Sequence, residues 1–317
     1  MIKLYVVTSD GFDVYYNQAL EKYLLDQVKR DEIILFLWQN DRTVVIGKNQ
    51  DAYGECRTET LIHDGGFLAR RLSGGGAVYH DRGNLNFTFI CRKDLYDPDR
   101  QDQIVLDALK HLGIHAEKNG RNDLVIEGKK FSGHAYYKGK EGCFHPGTIM
   151  LEVNEKALEK YLNVSPLKLH SKAVRSVRSR VANLKRIRQD LDLDMLKKGL
   201  ILSFEDMYGC RSTDYPLDEK KISAGRKFFA DKEWIYGPEI HLNQCRQARF
   251  DWGTVRVIYD LKDGRIADLK IYTDALDQDL SEELEKKLRG RELSEAVFSD
   301  SKVKDIINLL KEGNHEI

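Results

Sequence analysis

A chain of 317 residues with 51 basic and 51 acidic side chains has no net charge to draw nucleic acid or an anionic membrane, and is long enough for two domains. Its mean hydropathy of -0.52 and lack of any long apolar run exclude a spanning helix; the apolar part of Met1–Val7 is too short for a secretory signal, so a cytoplasmic protein is expected. Cys56, Cys91, Cys143, Cys210 and Cys245 are scattered with no C-x-x-C pair, and the histidines show no ligand spacing, so neither a disulfide framework nor a protein-only metal site is expected.

In chain order, the first seven residues read as a strand. Ser9 or Asp10 then caps a helix whose apolar positions Phe12, Tyr16, Ala19, Leu20, Tyr23 and Leu24 follow a period near 3.6. Strands are expected at 33–38 and 43–46, around a glycine-rich loop from 67 to 90, at 123–126, at 131–137 and at 148–153, with a helix over 101–112. Residues 168–188 hold eight lysines and arginines and no acid, a solvated basic face by default, and a helix over about 190–207 follows. The pattern loosens between 208 and 237, with Pro216, several glycines and a charged helix-like stretch, and a linker is placed there. Strands over 254–259 and 266–272, joined by the turn signal Asp263-Gly264, and helices over 281–288 and 300–310 then form a small module. Strands interleaved irregularly with helices predict an α+β fold with mixed or antiparallel sheets.

The most informative stretch is Arg70-Arg71-Leu72-Ser73-Gly74-Gly75-Gly76-Ala77-Val78-Tyr79-His80-Asp81. Three glycines leave no side chain between ligand and backbone, so the N–H groups can line an anion site, and arginine adds an always-charged fork. A tight turn or bulge beside a solvated arginine pair would carry the same letters. Strand-like flanks favour the ligand loop, and no G-x-x-x-x-G-K-[ST] occurs, so any ATP site is not a P-loop. A second segment, Gly120-Arg121-Asn122-Asp123 through Lys129-Lys130-Phe131-Ser132-Gly133-His134, places a lysine at a strand start, where a plain hairpin turn is the alternative. His80, His134 and His145 read as hydrogen-bonded structural residues, and Phe87, Phe89 and Phe131 as lining of a core or of an apolar tunnel.

Taken together with Leu37-Trp38-Gln39-Asn40, Thr43–Gly47, His145-Pro146-Gly147-Thr148 and Ser176–Leu184, these motifs resemble the lipoate-protein ligase A family. The match spans most of the chain, and the last module, with Phe250-Asp251-Trp252-Gly253, resembles the accessory domain of full-length members. Leu72 departs from the small residue common there, which leaves acyl-chain preference open.

The resemblance implies a biotin/lipoate ligase-like catalytic domain over 1–237, including the linker, and an accessory domain over 238–317. It implies an enzyme that activates lipoate with ATP to lipoyl-AMP and passes the acyl group to a lysine of lipoyl domains in 2-oxoacid dehydrogenase acyltransferase subunits and the glycine cleavage H protein. Arg71, Gly76, Ala77, Val78, Tyr79 and Lys130 would contact ATP, and Lys130, Arg71 and Gly75 the lipoate. Lys130 would be the catalytic residue, and Asn122, Asp123, Arg178 and Arg180 would meet magnesium or the adenylate. The nearest rival is a lipoyl or octanoyl transferase working through a cysteine thioester, with Cys143 closest in sequence to Lys130. A non-catalytic lipoyl-binding protein is the rival from another class.

Overall fold

The computed structural model describes residues 2–120, 122–163, 181–294 and 299–312. Its centre is a six-stranded mixed sheet in the order β10-β11-β6-β2-β1-β12. The strands are β1 (Lys3–Thr8), β2 (Glu32–Trp38), β6 (Asn84–Arg92), β10 (Tyr137–Lys138), β11 (Gly142–Met150) and β12 (Ser212–Asp214). β1 runs parallel to β2 and β12, while β6 is antiparallel to both β2 and β11. All seven residues of β2 are buried, as expected of a central strand covered on both faces, and its side chains alternate between two cores.

On one face Ile33, Leu35, Leu37, Phe87 and Phe89 pack against α4 (Pro98–His111) and α6 (Leu193–Tyr208) through Ile104, Ala108, Leu200 and Phe204. On the other, Ile34, Phe36, Trp38 and Phe144 meet α1 (Val14–Gln27) and α7 (Glu219–Phe229) through Leu20, Leu24, Ile222 and Phe229. The helix starts follow simple chemistry. Asp97 accepts from Arg100 N ahead of Pro98, and Asp192 caps α6, which ends on Gly209 at φ 68°.

A second sheet, β4-β3-β5, combines β3 (Thr43–Ile46), β4 (Phe67–Arg70) and β5 (Val78–His80), so the glycine loop joins the two strands that flank β3. A third, β7-β8-β9, holds β7 (Glu117–Asn119), β8 (Asp123–Ile126) and β9 (Lys129–Gly133). Glu127 and Gly128, both at positive φ, make the two-residue turn that starts β9 at Lys129. Short helices α2 (Ala52–Glu55), α3 (Thr58–His63), α5 (Glu155–Tyr161) and α8 (Lys232–Tyr236) cover the second sheet. The C-terminal module is the meander β13 (Gln244–Phe250), β14 (Gly253–Lys262) and β15 (Arg265–Thr273), with a separate core under α9 (Leu280–Leu288) and α10 (Ser301–Glu312). Asp263-Gly264 forms its β14–β15 turn, both residues at positive φ.

Several elements differ from the sequence expectation. The cap of α1 is Asp13, whose carboxylate accepts from the amides of Tyr15 and Tyr16, leaving Ser9, Asp10 and Phe12 outside the helix. The 131–137 strand breaks after Gly133, because the His134 amide turns to Asn122 O and that of Ala135 to Pro146 O. β11 begins at Gly142, earlier than the apolar letters suggested. The 208–237 stretch is not loose: α7 packs on α1, and Trp234 Nε1 donates to Arg70 O at 2.9 Å. The basic stretch lies outside the described residues up to Arg180.

Gly147 sits opposite Phe87 in the β6–β11 ladder, and a Cβ there would fall 2.1 Å from the Phe87 ring. The ring is core-locked, so Gly147→Ala should lower unfolding stability by about 1–3 kcal/mol, read as a lower urea midpoint at unchanged m-value.

Candidate active site

One cavity runs from a half-exposed end at Asn122 and Lys130 to a buried end formed by Gln18, Glu21, Trp38, His80 and Asn86. Its sides come from the glycine loop (Arg71, Gly76, Ala77, Val78) and from the facing Gly133–Ala135 and Pro146–Thr148 segments.

The loop's shape is set by Arg71. Its guanidinium donates to Gly74 O at 2.7 Å, Gly76 O at 2.8 Å and Val45 O at 3.2 Å, and so folds the loop around itself. Burial pushes its pKa down to about 10, which still leaves it charged at neutral pH. Arg71 therefore lines the cavity chiefly as a loop former, with most of its donors already used. Arg70, the other member of the pair, points away and is buried. It binds Gln50 O at 2.6 Å and Ile235 O at 2.7 Å, stitching α8 to the 47–50 turn. Gly47 has to be glycine for the same packing, since a Cβ would lie 2.1 Å from Gly75 O.

At the open end Lys130 Nζ lies 2.7 Å from Asp123 Oδ1. Gly133 lets the lysine cross it, because a Cβ there would meet Nζ at 2.7 Å. Asn122 is fixed by both backbone groups of His134, accepting from its amide at 2.8 Å and donating to its carbonyl at 3.2 Å. The turn that carries Asn122 and Asp123 is thereby tied to the strand that carries Lys130.

At the buried end Trp38 Nε1 donates to Thr88 Oγ1 at 3.1 Å, and that hydroxyl donates to Glu21 Oε1 at 2.7 Å. Burial raises the Glu21 carboxyl to about 7, against the opposing pull of Thr88 and the Arg71 charge. Burial, and then Arg71, hold His80 near 3, so its imidazole is neutral, and Asn40 contacts its Nδ1 at 3.1 Å. Gln18 Nε2 and Oε1, His80 Nε2 and Asn86 Nδ2 are buried with no hydrogen-bond partner among the described residues.

Two expected contacts are not at this wall. Gly75, at φ 89°, turns its amide to Ala275 O of the C-terminal module at 2.8 Å. Tyr79 pairs with Val44 in the second sheet, and its ring packs on Tyr161 at 5.6 Å. Phe87, Phe89 and Phe131 belong to the core and line no part of the cavity. Arg178 and Arg180 lie outside the described residues. The polar buried end, Gln18, Glu21 and Asn86 above all, escaped sequence reasoning: the first two sit on the inner face of α1, where their letters look like surface. Asp102, His134 and His145 also converge, buried, with candidate ligand atoms within 4.8 Å, although their sequence spacing carries no metal signature.

Glu21 supplies a pH test. Its folded pKa lies above the unfolded 4.5, so the native chain keeps a proton that the unfolded chain releases. That stabilising difference is full at low pH and is lost as pH rises through about 7. Relative to Glu21→Gln, the wild-type chain should lose on the order of 1–3 kcal/mol of unfolding free energy between pH 5 and 8, followed by urea denaturation across that range.

Comparison with known proteins agrees with this architecture. The lipoyl protein ligase A/B catalytic domain model matches residues 13–205, and the bacterial lipoate protein ligase C-terminus model matches 240–311. Lipoate-protein ligase A of Psychrobacter cryohalolentis is 38% identical over 90% of this chain and 88% of its own. The structure of P. falciparum LipL1 in complex with lipoate superposes with TM-score 0.80 at 26% identity, covering 98% of this chain and 99% of that one. A lipoate-protein ligase A bound with ATP gives 0.64 at 27% identity over 74% and 98% of the two chains. The bipartite ligase of Thermoplasma acidophilum, from a study that includes its E2 lipoyl domain, gives 0.66 at 28% over 76% and 98%. With both family models matched in order along a chain of this fold, the protein belongs to the lipoate-protein ligase A family.

Proposed function

We propose that the chain activates lipoate with ATP to lipoyl-AMP and transfers the lipoyl group to a lysine of lipoyl domains, those of 2-oxoacid dehydrogenase acyltransferase subunits and the glycine cleavage H protein. The observation that carries this reading is the Lys130 ammonium, half-exposed beside Asp123 at the mouth of a cavity walled by the Arg71–Val78 loop.

The acyl chain would run toward Trp38 and its carboxylate would stop near Lys130. In the first step a carboxylate oxygen attacks the α-phosphorus and pyrophosphate leaves. Two anions must approach, so a fixed cation between them lowers the barrier. Asp123 holds the ammonium in place until the substrates take over its charge. In the second step the acceptor amine attacks the anhydride carbonyl and AMP leaves, with Lys130 again beside the oxygen that gains charge. Backbone amides of Gly76–Val78 would face the phosphates, and Arg71 would act mainly by keeping them in place.

Magnesium would accompany the triphosphate and neutralise phosphate charge. Asp123 suits a single ligand at most, since one of its oxygens is engaged by Lys130, and Glu21, the carboxylate that lines the cavity among the described residues, is buried at the far end. Most of the ion's shell would be water.

The thioester transferase reading finds little support. Cys143 is buried in β11 opposite Cys91, burial raises its pKa, and no cysteine lines the cavity among the described residues. A purely binding role would leave the Lys130–Asp123 arrangement without a task.

With Mg-ATP and lipoate but no acceptor protein, the purified chain should release pyrophosphate, and Lys130→Ala should slow this by on the order of 10²–10³. Lipoate-independent release, or unchanged release by the variant, would sink the assignment. We also propose that the C-terminal module moves between the two steps, because its Ala275 and Thr273 hold Gly75 and Asn49 of the loop region directly, at 2.8 Å and 2.9 Å. Small-angle scattering should change on adding ATP and lipoate together; superimposable profiles would count against that motion.

A further inference from the structure

Behind the wall that carries Lys130, three buried side chains from three elements meet: Asp102 of α4, His134 just after β9, and His145 in β11. His134 Nδ1 lies 2.7 Å from Asp102 Oδ1 and 2.9 Å from His145 Nε2, and the last two are 3.6 Å apart. These contacts cannot all be ordinary hydrogen bonds. His145 Nδ1 sits 3.0 Å from Gln101 Oε1, which places its ring hydrogen there and leaves a lone pair on Nε2. A single hydrogen on His134 Nδ1 must then serve both the carboxylate and that lone pair. Two acceptors thus compete for one ring hydrogen at the centre of the cluster.

Each far atom of the trio is also anchored. Ser132 Oγ lies 2.8 Å from His134 Nε2 and can take the hydrogen there, turning the Nδ1 lone pair inward. Gln101 does the same for His145, and Lys118 Nζ holds Asp102 Oδ2 at 2.7 Å. Outer partners that fix the tautomer and aim the inner atoms are the usual surroundings of metal-bound imidazoles.

We propose that Asp102, His134 and His145 bind one divalent transition ion of the zinc class. Two imidazoles and a carboxylate suit such an ion and not magnesium or calcium. His134 borders the cavity, which gives an entry path. The ion would tie α4 to β11 and to the strand that carries Lys130, so its role is structural. Lys118 opposes it, because the ammonium and a dication would share one carboxylate.

The test uses the full chain, stripped with chelator and titrated with Co²⁺ and then Zn²⁺. We expect one Co²⁺ per chain with a visible absorption stronger than that of the aqueous ion, bleached by one equivalent of Zn²⁺. His145→Gln should abolish the band, and Lys118→Gln should tighten Co²⁺ binding at least several-fold. A titration with no band, or a band that survives His145→Gln, would reduce the trio to a hydrogen-bonded cluster. If His145→Gln fails to fold, Lys118→Gln decides: unchanged affinity overturns the site. None of these readouts depends on ligase activity.

Discussion

The half-buried guanidinium of Arg71 is the constraint on which the rest of the site depends. A charge taken out of water is costly unless its hydrogen bonds are met. This one is met by carbonyls of its own loop, Gly74 and Gly76, and by Val45 of the neighbouring strand. Bending carbonyls inward toward one cation leaves the loop little freedom, and the glycines let the backbone close that tightly, with Gly75 at φ 89°. The same charge reaches the buried end of the cavity, where it works against the desolvation of Glu21 and lowers the proton affinity of His80. One side chain thus couples loop shape to the protonation of the far wall.

What the letters disclosed tracks how local the physics is. β3 and β8 fall where the apolar runs place them, and Asp263-Gly264 turns as its residues demand, because each rests on neighbouring residues alone. The break after Gly133 was illegible, since it depends on Asn122 and Pro146 taking the next two amides from other segments. The helices in 208–237 showed only as one charged, helix-like stretch within an expected linker, for a related reason. Their apolar face is short, and they are held by Arg70 and α1, far away in sequence.

The site divides along the same line. Lys130 and the glycine loop stand out because charge and glycine at a strand end are unusual locally. Gln18, Glu21 and Asn86 do not, since a polar residue on a helix or strand normally faces water, and only the folded sheet turns these three inward. Gly75 is the reverse case. Its letter belongs to the loop, yet its amide serves the C-terminal module.

That contact joins the two halves of the molecule at an economical point. A Cβ on Gly74 would lie 2.5 Å from Leu276 O and 2.6 Å from Ala275 O, so the module's backbone rests directly on the loop's backbone. Asn49 donates to Asp277 O, Lys48 pairs with Asp279, and Arg256 pairs with Asp51, joining the segment just after β3 to β14 and to the turn that follows β15. These polar contacts are exchangeable with water, unlike the apolar packing inside either core. An interface of that kind can part without unfolding either partner, whereas the Arg71 loop beneath it cannot be rearranged without stranding a half-buried charge. Any reorganisation during the cycle therefore falls on the seam between module and loop, leaving the loop's own geometry intact.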